Sequence, residues 1–154
     1  MTRTNHSGER LLLAAAALSF VLAALHLVVV FVGAPGYSYF GAPELGELAR
    51  QGSVAPALIT LVLVGVFGVF GLYALSGARR VRHLPLLPAA LVAIGGIFTL
   101  RGVALFLELP ALLQGSAPFP PRYAVFSAAS LVVGLVFLAG TARTWRSLRA
   151  GFRA

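Results

Sequence analysis

The chain contains no cysteine and no lysine, and its only acidic side chains are four glutamates. The absence of cysteine excludes disulfides, thiolate metal sites and thiol catalysis together. The absence of lysine leaves twelve arginines as the whole basic complement, a bias of genome composition rather than of mechanism. Charged residues make up 10% of the 154 residues, against 59% hydrophobic ones. That is too little charge to clothe a soluble domain of this length, so residues 1–154 are read as a single integral membrane domain. Metal and cofactor chemistry is also poorly supplied. A zinc site would lack its third and fourth ligands, and His26 and His83 fall toward opposite membrane sides, which does not suit a haem. No glycine-rich loop is followed by the Lys-Ser/Thr pair that cradles phosphate. No cofactor is therefore expected.

What is present is apolar length. Four runs, at about 11–32, 54–76, 86–109 and 123–142, each match the roughly 20 residues that a spanning helix needs. The first run is longer than the roughly 7–15 apolar residues of a signal-peptide core, so it is expected to remain as a helix. The fold class that follows is all-α, a four-helix transmembrane bundle of up-down topology. The first loop, residues 33–53, is turn-rich and aromatic at its start. Its second half, Pro43 to Gly52, is expected to be a short extracytoplasmic helix. Proline suits the first turn, Glu44 and Glu47 favour the positive end, Arg50 the negative end, and Gly52 can stop it.

In the second span Gly65, Gly68 and Gly71 recur every third residue, continued by Ala74 and Gly77. Small residues let helices approach closely in lipid, so this stripe is expected to pack against a neighbouring span, and Gly68→Leu is expected to be damaging. The third span shows no break, and the chain no internal repeat. The tail after residue 142 is basic, with Trp145, Leu148 and Phe152 placed to anchor at the interface.

The charge balance sets orientation. Nine arginines lie in the N-terminal segment (Arg3, Arg10), the second loop (Arg79, Arg80, Arg82) and the tail (Arg143, Arg146, Arg149, Arg153), against Arg50 and Arg122 in the other two loops. By the positive-inside rule both termini face the cytoplasm. The net charge of +8 is then read as contact with anionic headgroups, so membrane lipids are the expected partners, with another membrane protein or a second copy beside them. Nucleic acid is not expected, because the arginines are scattered over short loops.

The strings Tyr73-Ala74-Leu75-Ser76-Gly77, Leu84-Pro85-Leu86-Leu87 and Leu100-Arg101-Gly102, following Phe40-Gly41-Ala42-Pro43-Glu44, resemble those of a group of short, largely uncharacterised four-span bacterial inner-membrane proteins. The resemblance covers about residues 20–140. It implies a four-span fold in the inner membrane and no particular activity, and it carries no catalytic residues over.

Arg101 stands out because it lies well inside the third span, where a charge costs roughly 2.5–3.5 kcal/mol on insertion scales. Counting about 1.5 Å per residue, Arg101 falls roughly 6 Å outward of mid-span, at a depth similar to His26, Thr60 and Ser127. Glu108 follows two turns later, with Glu44 and Glu47 in the loop beyond. These residues outline an outward-facing polar pocket with His26, Arg101, Glu108, Glu44 and Glu47 as its ligand-binding candidates. No acid stands at i±3 or i±4 from Arg101. Two readings stay open: the guanidinium snorkels to the headgroups, or it meets a ligand. His26 can equally be a hydrogen-bonded packing residue, and the loop acids can serve their own helix. Two function classes follow. One is a binding or accessory protein for a lipid headgroup or small anion. The other is a small enzyme or carrier using His26, Arg101 and Glu108.

Overall fold

The computed structural model describes residues 6–150. All regular elements among them are helices: α1 His6–Val32, α2 Ala34–Tyr39, α3 Pro43–Arg50, α4 Ala55–Gly77, α5 Leu87–Val103, α6 Leu105–Leu113 and α7 Arg122–Ala150. Four stretches are long and apolar enough to cross a membrane, namely α1, α4, α5 with α6, and α7, at 27, 23, 27 and 29 residues. The fold is thus the expected all-helical one with four spans. Arg3, Phe152 and Arg153, named above for orientation and interfacial anchoring, lie outside the described residues.

Three boundaries differ from expectation, each for a local reason. Helix α1 is already formed at His6, the first described residue, five residues ahead of Leu11; Glu9 lies near its N-terminal end, where a carboxylate is favoured by the helix dipole. Helix α7 runs on to Ala150, because no glycine or proline lies between Thr141 and Ala150 to stop it. The third span is interrupted at Ala104, which corrects the expectation of an unbroken helix. Gly102 weakens helix preference just before the break, and Pro110 inside α6 withdraws a backbone donor from the next turn. At the junction the Ala104 carbonyl accepts from both Leu107 N–H (3.0 Å) and Glu108 N–H (2.9 Å).

The chain divides into two compact units, one of residues up to Ala17 together with Phe70 onward, the other Leu18–Val69. In the first unit all four spans meet around Leu12, which is fully buried. A Cβ placed on Gly77 at the end of α4 would lie 2.9 Å from both Leu12 and Leu91, and one on Gly140 of α7 would lie 3.0 Å from Leu12. The start of α1, the end of α4, the start of α5 and the later part of α7 therefore share one level, so successive spans alternate in direction.

The α4–α5 connection is held by side chains of α4. Ser76 Oγ donates to the Arg82 carbonyl and accepts from Leu84 N–H, both at 3.0 Å, and Tyr73 Oη donates to the Pro85 carbonyl at 3.3 Å. Arg79 and Leu86 take left-handed backbone, φ 58° and 53°, which costs about 1–2 kcal/mol per residue without a glycine. The result is an ordered turn with Arg79, Arg80 and Arg82 exposed.

In the second unit α2 and α3 pack as a pair, so the first loop holds two helices where one was expected. Their contact is close: a Cβ on Gly46 would lie 2.5 Å from Ser38 Oγ and 3.0 Å from the Ala34 carbonyl. Gly52, at φ 81°, provides the left-handed residue that ends α3. It lets Ser53 N–H reach back to the Leu48 carbonyl at 3.0 Å.

Candidate functional site

The close approach of α5 and α7 positions the membrane arginine. The two helices pair antiparallel through glycines. A Cβ on Gly95 would lie 2.8 Å from the Leu138 side chain, one on Gly102 would strike the backbone of Leu131, and one on Gly134 would strike Thr99. Contact at backbone distance is what small residues permit between membrane helices. Next to it, Phe98 stacks on Phe137 with ring centroids 6.2 Å apart.

This register sets Arg101 beside Ser127, one turn from Leu131 on α7. Arg101 Nη1 donates to Ser127 Oγ at 2.9 Å, and Ser127 is fully buried. A guanidinium has five N–H donors, and this is the one polar contact that Arg101 makes among the described residues. The ion pairs there are His6 with Glu9 and Arg50 with Glu47, so Arg101 is not neutralised by a carboxylate. The side chain is exposed on the surface of the chain. Glu108, on α6, is half-buried, and its Oε2 is buried without a hydrogen-bond partner.

The remaining candidates lie in the other unit. His26 Nδ1 donates to the Leu22 carbonyl at 2.8 Å, and its ring tilts against Phe67 at 4.8 Å between centroids. That is the environment of a packing histidine. Thr60 returns its hydroxyl to the Pro56 carbonyl at 2.8 Å. Both carboxylate oxygens of Glu47 are engaged on α3: Oε2 accepts from Arg50 Nε (3.0 Å) and Oε1 from Gln51 Nε2 (3.1 Å). The hydrogen bond from Arg50, seconded by that from Gln51, holds the Glu47 carboxyl below the usual carboxylate range. Glu47 therefore serves its own helix. Glu44 is exposed in the first turn of α3. The structure thus places Arg101 and Glu108 in one unit, and His26, Glu44 and Glu47 in the other. Among the described residues no three His or Glu side chains gather as a metal site.

The glycine stripe divides. A Cβ on Gly65 or Gly68 meets nothing within 4 Å among the described residues, so the expected contact with a neighbouring span is not seen at these two positions. Gly71 is buried, and Gly77 packs as described. The close-packing glycines that sequence reasoning passed over are Gly95, Gly102 and Gly134. Their signal was the seven-residue spacing of Gly95 and Gly102, which returns to one helix face after two turns.

These features define a small, all-helical, multi-pass membrane protein with one arginine set on a serine of a neighbouring span. No protein-family model matches the chain, and no curated protein and no solved structure matches it.

Proposed function

We propose that this chain is a binding or accessory protein of a bacterial inner membrane, with both termini cytoplasmic, whose Arg101 receives a lipid headgroup or small anion. The observation that carries this reading is the 2.9 Å hydrogen bond from Arg101 to buried Ser127 in the absence of a carboxylate partner. One N–H is used to fix the guanidinium, and the rest are left for an anion, which the planar fork can bind in bidentate geometry. Glu44 and Glu47 are not needed in this reading.

Native mass spectrometry of the wild type, Arg101→Lys and Arg101→Leu tests it. Retention of anionic lipid should fall in the lysine variant and drop by at least one bound lipid in the leucine variant. Equal retention by all three would remove the proposal and leave a snorkelling arginine.

The second reading, a carrier or enzyme using His26, Arg101 and Glu108, is favoured by one observation. The third span is broken at Ala104, between Arg101 and a carboxylate oxygen that is buried unpaired. Interrupted helices line transport sites in many carriers. Proton-coupled uptake into vesicles that is lost in Glu108→Gln while lipid retention stays intact would select this reading.

A further inference from the structure

A groove lies at the basic end of the first unit, independent of Arg101. Val92 of α5 and Leu138, Thr141, Ala142 and Trp145 of α7 line an open groove of about 490 Å³. Of its polar lining groups, the Thr141 hydroxyl is already engaged, since Oγ1 donates to the Phe137 carbonyl at 2.7 Å, and the other is the indole N–H of Trp145. The rest of the groove presents hydrocarbon.

The lining residues of α7 recur at helical spacing, Leu138, Ala142 and Trp145, and the next residue on that face is Arg149. Its Cζ lies 5.9 Å from the centroid of the Trp145 ring, within the range of a cation–π contact. Arg146 is exposed on the same turn. The apolar stripe thus ends in a guanidinium held over an aromatic ring. The basic turn with exposed Arg79, Arg80 and Arg82 follows directly on Gly77, which shares the level of Leu12, Leu91 and Gly140. Val92 and Thr141 are the chain neighbours of Leu91 and Gly140, so the groove lies at the same end of the first unit as this turn.

We propose that the groove is a binding site for an anionic phospholipid, with an acyl chain along Leu138, Ala142 and Trp145 and the phosphate on Arg149. A neutral apolar partner would leave the arginines unanswered, and a soluble anion would leave the groove uncovered. An anionic lipid answers both. From Leu138 to Arg149 the stripe measures about 16 Å, room for the headgroup end of a chain and its phosphate. Along α7, Trp145 lies about 27 Å and Arg149 about 33 Å from Ser127.

Trp145 is the only tryptophan, so its emission reports on the groove alone. The full chain is reconstituted in phosphatidylcholine vesicles carrying, at equal mole fraction, either brominated phosphatidylglycerol or brominated phosphatidylcholine. The expected result is stronger quenching by the anionic lipid, by twofold or more. Arg149→Gln should remove this excess while quenching by brominated phosphatidylcholine is unchanged. Raising the salt concentration should reduce it in the wild type, which requires no variant. Equal quenching by the two lipids, or an excess that survives both Arg149→Gln and high salt, would overturn the proposal. Quenching by neither would also overturn it, because acyl chains would then be kept out by a second copy or another protein. Contact quenching at Trp145 does not sense Ser127, so this proposal and the Arg101 reading can fail separately.

Discussion

Glycines of one sequence type carry very different weight in this chain. At Gly102 an added methyl would overlap the backbone of Leu131, and backbone cannot swing aside as a side chain can. Overpacking typically costs 1–3 kcal/mol, and a backbone neighbour puts Gly102→Ala near the top of that range, about 3 kcal/mol. At Gly68 nothing lies within 4 Å, so Gly68→Ala should stay within about 0.5 kcal/mol. Thermal melting of both variants in one detergent checks the pair. Gly102→Ala should melt clearly below the wild type and Gly68→Ala alongside it. The reverse order would mean that α4, rather than the α5–α7 pair, supplies the close helix contact.

At the scale of the element, α3 shows how a loop helix holds its own charges. Proline begins it, the Glu47–Arg50 pair spans one turn at 2.8 Å, and Gly52 ends it. Because the folded carboxyl of Glu47 sits below its ordinary range, the contribution of this pair is present above that range and is lost as pH falls through the lowered value. The pair is exposed, so the effect on whole-protein stability is small. A carbon-13 NMR titration should show Glu47 ionising below the ordinary glutamate range, and Arg50→Gln should move it up. A Glu47 titration that Arg50→Gln leaves unchanged would show that the Arg50 contact does not persist in solution. The third span is the contrasting element. Its break at Ala104 is set by Gly102, Pro110 and the contact with α7 together.

For the whole molecule, the proposed orientation rests on the distribution of arginines. With both termini and the Arg79–His83 turn placed on the cytoplasmic side, single cysteines at Ser53 and Ser147 should behave differently in whole cells. An impermeant thiol reagent should label position 53 and spare 147. Labelling at 147 alone would invert the proposed orientation, and with it the leaflet that faces the Trp145 groove.

Helical fold class, the number and order of the four spans, and a helix at Pro43–Arg50 were all legible in the residues alone. Each of these rests on a local property, apolar length or the residues at a helix end, which a single segment carries without reference to its neighbours. The depth count also placed Arg101 and Ser127 in one layer, because helical rise is constant. Which faces meet became visible only in the folded chain. In lipid both the buried and the exposed face of a span are apolar, so hydropathy does not distinguish them. Gly65 and Gly68 therefore looked equivalent to Gly95 and Gly102. Leu148, expected to anchor in the interface, turned inward to 4% exposure while Trp145 stayed out at 38%. The hydrogen bond of Arg101 and the groove ending at Arg149 arise from the pairing of α5 with α7. That pairing depends on two helices approaching at glycine, a relation between segments that neither segment contains alone.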